Sequence, residues 1–420
     1  MAHLNTVQCT GPIARPRICR QPVTNMQEFD YQLRPRIVFA ENAIERLGNL
    51  ARHLFNESGT NNPRVLVVSD PGVVSAGIFD RGSSSLAKSE LEVLGFHEFS
   101  ENPTTKHVED GVRVARDFQP QLIVGLGGGS SMDCAKGINF LYSCGGRMHD
   151  YWGVGKAPLP MLPMIGIPTT SGTGSEAQSF ALISDAETHV KMACGDPKAS
   201  CRIALLDPKL TLTMPSKVTA LTGIDAITHT LETFVCNKRN PISECYSWSA
   251  WERLAAGVAQ VIANPTDIEG RGNMQLGACF AGMAIEASML GAAHALANPL
   301  TASLGTPHGQ AVGMMMPHVI RFNALVVGDR YQKLVRLLSD TNARTPSEAC
   351  EWLHDRMTQW LADFELSTRL RALPGWPIST ESEMQLVLDL ADSAAKQWTA
   401  TFNPRPLSAS DFVELYQAAL

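Results

Sequence analysis

Four short stretches of this chain are apolar without interruption before they end in polar residues: "VLVVSD" (65–70), "LIVGLGGG" (122–129), "MIGIPTT" (164–170) and "IALLDP" (203–208). A strand with one wet face alternates apolar and polar residues. Continuous runs mean strands buried on both faces, which is the mark of a parallel sheet covered by helices. The intervening "SSSLAKSELEVLG" and "HVEDGVRVARDF" read as crossover helices, so the first half is expected to be an open, mostly parallel α/β sheet. "FALISDAETHVKM" (180–192) has two runs around a polar turn and reads as a hairpin. After Pro208 the texture is helical almost to the end. "ASMLGAAHALANPL" (287–300) is rich enough in small residues to be a buried central helix, and Pro215 and Pro299 are expected at helix edges. The expected organisation is an irregular extension over 1–29, an α/β domain over 30–210 and an all-α domain over 211–420, with the boundary near 208–215.

Composition excludes several classes. Lys and Arg number 35 against 41 acids, a net charge of −6 with no basic block, so no nucleic-acid partner is expected. No apolar run reaches about 18 residues, so no membrane span is expected. Ten cysteines lie scattered without a C-x-x-C pair, which favours free thiols and a reducing, cytoplasmic location. Residues 1–27 lack acids and carry Arg15, Arg17 and Arg20, as an organellar presequence would. Pro12, Pro16 and Pro22 oppose the amphipathic helix such a signal needs.

The strand ends carry the first chemistry. "GLGGGSSMDCAK" (125–136) follows one strand and opens a helix. Gly127, Gly128 and Gly129 allow close backbone approach, and a helix N-terminus offers N–H groups to an anion. An ordinary strand–helix turn is the alternative. The loop is neither a Walker loop nor G-x-G-x-x-G, since Ser130 stands at the last glycine position. "PTTSGTGSE" (168–176) ends the next strand with hydroxyls on Thr169, Thr170, Ser171, Thr173 and Ser175 that could bond ribose, phosphate or a carboxamide; a solvated Ser/Thr loop is the other reading. Two such loops at neighbouring strand ends make a crevice where open α/β folds bind nucleotides. Asp70, at the end of the first run, could accept from ribose hydroxyls and repel a 2′-phosphate, favouring NAD over NADP; a turn aspartate before Pro71 is its other reading.

A second constellation lies in the helical half. In "GIDAITHT" (223–230) Asp225 and His229 are four apart, one above the other on a helix, beside an apolar stripe of Ile224, Ile227, Leu231, Phe234 and Val235. Alone, the pair fits an exposed helix face. Ionised aspartate is costly to bury without a cation, however, and His294 and His308 follow in "GAAHALANPL" and "GTPHGQ". One carboxylate and three imidazoles suit divalent iron, Fe(II), or zinc, Zn(II). A lone histidine in an Ala-rich helix is otherwise a core residue.

These segments, with "NPTTKHVEDGV", "GIDAITHTLE" and "GTPHGQAVGMMMPHVIRFN", resemble in order and spacing the iron-containing (group III) alcohol dehydrogenases of the dehydroquinate synthase-like superfamily, from about residue 30 to the end. The resemblance implies NAD(P) in a cleft between an α/β and a helical domain, and a homodimer. It implies Asp225, His229, His294 and His308 as metal ligands, and Gly127–Gly129 with Ser130 around the pyrophosphate. Thr169, Thr170, Ser171 and Thr173 would support phosphate, ribose and nicotinamide, Asp70 would go with NAD preference, Asn102 would sit near the adenosine and Lys191 near the ribose. The implied activity is hydride transfer between NAD(H) and a small primary alcohol or aldehyde. Maleylacetate reductase, hydroxyacid–oxoacid transhydrogenase and a dehydroquinate synthase-like lyase are the alternatives. Many members carry another histidine four residues after the third ligand. Here Asn298 stands there, an amide that cannot titrate near neutrality and is a candidate substrate contact. Neighbouring "LTASL" lacks the glycine expected from the family pattern, which points to an altered pocket. Phe180 and Met283 are candidates for its walls, with core packing the alternative.

Overall fold

The structure, a computed structural model, describes residues 28–58, 63–338 and 345–420. The extension expected over 1–29 thus lies outside the described residues except at its last two positions. Tyr31–Leu420 forms one compact unit. Its strands are β1 (Arg36–Phe39), β2 (Arg64–Val68), β3 (Glu92–Phe96), β4 (Leu122–Gly127), β5 (Gly153–Val154), β6 (Met164–Pro168), β7 (Phe180–Ser184), β8 (Lys191–Gly195) and β9 (Ile203–Leu206).

Six strands make one parallel sheet in the order β1-β9-β6-β4-β2-β3. The continuous apolar runs are explained by two cores. Leu66, Val68 and Ile123 face one, while Val65, Val67, Leu122 and Val124 face the other. From β2 the chain crosses to its neighbour β3 at the sheet edge, then returns past β2 to β4. The strand order therefore reverses between β2 and β4, and ligands of open α/β sheets bind at such a reversal. The expected hairpin is β7 and β8, antiparallel with Phe180 opposite Gly195, and β5 joins it in a small second sheet.

Two edge strands escaped the pattern. β3 shows only one fully buried residue and β1 likewise, so neither carries an uninterrupted apolar run. The expected crossover helix "SSSLAKSELEVLG" is accordingly divided: the helix Ile78–Lys88 stops and the rest of the segment becomes β3.

Long helices begin at Ser216. In the helix Ser216–Val235 every residue from Gly223 to Val235 is buried, with the helices Pro241–Ala263, Ile268–Ala287 and His308–Leu338 around it. Pro215 caps it as expected. The single helix expected over 287–300 is instead broken. The helix Ile268–Ala287 ends, and Ala292–Leu304 starts after a bend of 105°. Pro299 lies inside that second helix rather than at its edge. By length and composition alone the 31-residue helix His308–Leu338 could cross a bilayer, but 67% of its apolar window is buried within the fold, the situation of a core helix. The eight described cysteines are all free.

The sheet and the helices meet at the second loop. Gln275 donates to the Pro168 carbonyl at 2.9 Å, and the Ser179 amide and hydroxyl donate to Glu286 Oε2 at 2.9 and 3.0 Å. Gly174 has φ +60, and a Cβ there would stand 2.6 Å from the Ala278 carbonyl oxygen and 2.7 Å from Gly282 Cα. Both the left-handed backbone and the contact require glycine. Replacing Gly174 with alanine is expected to cost about 2 kcal/mol or more of stability. Urea denaturation reads this directly; an unchanged midpoint would show that the loop gives way at no cost.

Candidate metal centre and nucleotide cleft

Asp225 and His229 stand on the central helix, His294 in the first turn of the helix Ala292–Leu304, and His308 at the first position of its own helix. All four converge. Asp225 Oδ1 lies 3.4 Å from His229 Nε2, 3.5 Å from His294 Nε2 and 3.8 Å from His308 Nε2. Two ligands each about 2.1 Å from a tetrahedral ion sit about 3.4 Å apart, so this spacing suits ligands around a shared cation. The rings of His229 and His294 stack with centroids 4.8 Å apart.

The residues fit a divalent ion on independent grounds. Asp225 Oδ1 and His294 Nε2 are buried and accept or donate no hydrogen bond. Burial would raise the Asp225 carboxyl, yet the facing imidazoles hold it well below its usual range. Burial pushes His229 down as an isolated imidazolium. The Asp225, His229 and His294 side chains are 7, 6 and 4% exposed against 35% for His308, so the cluster opens on the His308 side.

Glu232 completes the arrangement and was not singled out from the sequence. Its Oε2 lies 2.5 Å from His294 Nδ1, and its Oε1 accepts from the Ala293 amide at 2.6 Å. An acceptor at Nδ1 places the ring hydrogen there and turns the Nε2 lone pair toward Asp225 and the other imidazoles. Burial opposes a charge on His294, but Glu232 and Asp225 together hold its imidazolium up to about 9. Two buried carboxylates thus share one ring, an excess of negative charge that a cation relieves. The signal was present: Glu232 follows Asp225 by seven and His229 by three, which is one helix face.

At the sheet, Asp70 and the glycine loop flank the strand-order reversal. Asp70 Oδ1 accepts from the Val73 amide at 3.1 Å and caps the short helix Pro71–Ser75, while Oδ2 accepts from Ser131 at 2.9 Å. The turn reading and the cleft reading of Asp70 are therefore compatible. Gly127, at φ +148, leaves room for that pair, since a Cβ would stand 2.3 Å from Ser131 Oγ and 2.8 Å from Asp70 Oδ2. Gly128 and Gly129 face Thr170 and Thr173, so the two loops touch. Thr169 donates its amide to the Gly127 carbonyl at 3.0 Å. Ser171 Oγ is buried without a partner. Asn102, in the left-handed region, donates its amide to Ser130 at 3.2 Å and accepts from Lys191 at 3.2 Å. The residues expected around a nucleotide are thus brought together in two linked groups.

Lys136 was also missed as a site residue. It is fully buried, and its ammonium donates to Ser175 O and Oγ, Gln178 O and Phe180 O at 2.7–3.0 Å. It fastens the helix after the glycine loop to the second loop and to β7. Met283 is buried with Ala177, Ala204 and Leu206 between sheet and helix, so it packs the core. Asn298, one turn beyond His294, donates to Gln397 Oε1 at 3.0 Å.

Residues 34–208 match the family described as iron-containing alcohol dehydrogenase, and residues 219–420 match its C-terminal counterpart. The chain belongs to this family. It is 36% identical over 267 residues to alcohol dehydrogenase 4 of Schizosaccharomyces pombe, a match spanning 64% of this chain and 63% of that protein. Choline dehydrogenase of Bacillus subtilis is 31% identical over 358 residues, 84% of this chain and 87% of that protein. The crystal structure of a 1,3-propanediol oxidoreductase superposes with a TM-score of 0.87 at 28% identity, over 94% of this chain and all of that one. The α/β-plus-helical architecture is that of the iron-containing alcohol dehydrogenases, and the chain is an oxidoreductase of the alcohol dehydrogenase type.

If Glu232 orients His294, Glu232→Gln is expected to weaken retention of Fe(II) or Zn(II) about 10–100-fold. Competition with a chelator measures this, and wild-type retention would remove Glu232 from the arrangement.

Proposed function

We propose that this protein is a divalent-metal-dependent, NAD-linked dehydrogenase that interconverts a small primary alcohol and its aldehyde. The observation that carries the reading is the buried cluster of Asp225, His229 and His294, with the more exposed His308 beside Asp225. When bound, a divalent ion supplies Lewis acidity to a substrate oxygen and NAD accepts the hydride. Fe(II) suits this nitrogen-rich set and the family's description; Zn(II) suits the same ligands.

The chain's own residues do the positioning. Gly127–Gly129, Ser130 and the N-terminus of the helix Gly129–Cys144 would receive a pyrophosphate. Thr169, Thr170, Ser171 and Thr173 would hold ribose and carboxamide, with Asn102 near the adenosine and Lys191 near the ribose. Asp70 keeps acceptor capacity beyond its two bonds, because a carboxylate has about four lone-pair sites. That supports ribose recognition and a preference for NAD over NADP. Asn298 would touch substrate without exchanging a proton. A homodimer in the cytoplasm completes the reading.

A lyase of the dehydroquinate synthase type is less well supported. It requires basic groups for an anionic substrate in the helical half, and Arg321, within "PHVIRFN" of that half, is engaged by Glu351 at 3.1 Å.

The test is initial-rate NADH formation by metal-stripped protein, with and without anaerobic Fe(II), across primary alcohols. Restoration of turnover by Fe(II), with NAD⁺ favoured over NADP⁺, is expected, and Asp225→Asn should abolish the restoration. Silence across the panel with iron and NAD bound would overturn the alcohol reading.

A further inference from the structure

Gln397, Trp398 and Phe180, which follow on from Asn298, have no place in that account. Asn298 stands one helical turn, about 5–6 Å, beyond His294 on the same face. Its amide donates to Gln397 at 3.0 Å, and Gln397 is itself fixed by its backbone bond to the Ala394 carbonyl at 3.0 Å. The next residue, Trp398, opens the short helix Trp398–Phe402. Its ring lies 6.1 Å from that of Phe180 and 5.5 Å from that of Phe402. Both sides of this contact are pinned. The Phe180 carbonyl accepts from buried Lys136 at 2.9 Å, and the Phe402 carbonyl accepts from the Asn237 amide at 2.9 Å. Yet Trp398 is 42% exposed, so its indole has packed rings on one side and solvent on the other.

We infer that Trp398, with Phe180 opposite, is a chain-length filter on the substrate. This rests on the dehydrogenase reading and deepens it. A primary alcohol whose oxygen lies at the imidazoles runs past Asn298 and meets the Phe180–Trp398 pair after a few carbons. The rings touch each other, so a longer chain must part them. Both carriers of these rings are held by hydrogen bonds, which makes parting them costly. None of Phe180, Asn298, Gln397 and Trp398 bears a charge, so the wall selects by length and neutrality. Gln397 is a positioning residue, because it holds Trp398's segment to the helix of His294.

The experiment is kcat/KM for ethanol through 1-octanol, with Fe(II) and NAD⁺, in the wild type, Trp398→Ala, Phe180→Leu and Gln397→Ala. In the wild type a fall of about tenfold or more is expected between short alcohols and 1-hexanol, the discrimination that even one poorly accommodated methylene gives. Trp398→Ala and Phe180→Leu should each raise the hexanol-to-ethanol ratio about tenfold, through the KM for hexanol. Gln397→Ala should do the same to a smaller degree. Calorimetric titration with 1-hexanol should show tighter binding in the same order. A wild type that uses hexanol as well as ethanol, or variants in which all alcohols fall together, would overturn the filter while leaving the dehydrogenase intact. No NADH from any alcohol in any of these proteins would overturn the dehydrogenase reading and the filter with it.

Discussion

A buried carboxylate organises the helical half of this molecule. Asp225 sits in the middle of a helix whose residues from Gly223 to Val235 are all buried, and an ionised group there is unfavourable without a compensating cation. Among the described residues, no lysine or arginine is paired with it. Its neighbours are three imidazoles; Glu232 competes with it for the charge on His294, while burial pushes His229 and His308 toward the neutral form that can share a metal. Delivering those rings shapes the surrounding chain. The helical run through 287–300 breaks so that His294 enters in the first turn of a new helix. Glu232 takes the Ala293 amide, one of the N–H groups that any helix start leaves unpaired, while orienting His294 through its other oxygen. His308 opens its helix with a side chain still in contact with solvent, which leaves the cluster accessible from that side.

The loop over 168–176 has the corresponding role between sheet and helices. It leaves β6 beside the glycine loop, packs Gly174 against Gly282, and is gripped from the sheet side by Lys136. A buried lysine is tolerable when each of its N–H donors finds an oxygen; here four acceptors surround it, and Ser175 Oγ passes the contact on to the buried carboxylate of Asp133. The strand ends, the loop and β7 therefore move as one body. That rigidity is needed by any reaction in which two bound groups must hold a fixed separation.

Much of this was legible because the relevant physics is local or periodic. Uninterrupted apolar runs gave β2, β4, β6 and β9, since central parallel strands are buried on both faces. The i,i+4 spacing gave Asp225 and His229 a common face, and the order of motifs located His294 and His308. Edge strands β1 and β3 were hidden, because half-exposed strands of four or five residues leave no distinct pattern. The break at 288–291 was hidden because alanine and glycine suit both a helix and a bend. Glu232 was readable by spacing but looked like any surface glutamate until His294 was placed against it. Lys136 and Gln397 were not readable at all: their partners lie 39–44 and 99 residues away along the chain, and only folding brings them together.

The division of chemistry between the two halves follows from backbone geometry. A strand ending in glycines exposes backbone amides and lets a bulky anion approach, but it does not bring several side chains to one point. Helices do that readily, because positions three, four and seven apart share a face, as Asp225, His229 and Glu232 do. A sheet edge is therefore suited to hold a nucleotide and a helix bundle to hold an ion. Chemistry that needs both must occur where the two kinds of element touch. In this chain that contact is the loop of Gly172 and Gly174, where a Cβ on Gly172 would stand 2.5 Å from Thr222 Cβ on the helix of Asp225. The absence of side chains at those two positions lets the sheet's loop lie directly on the helices.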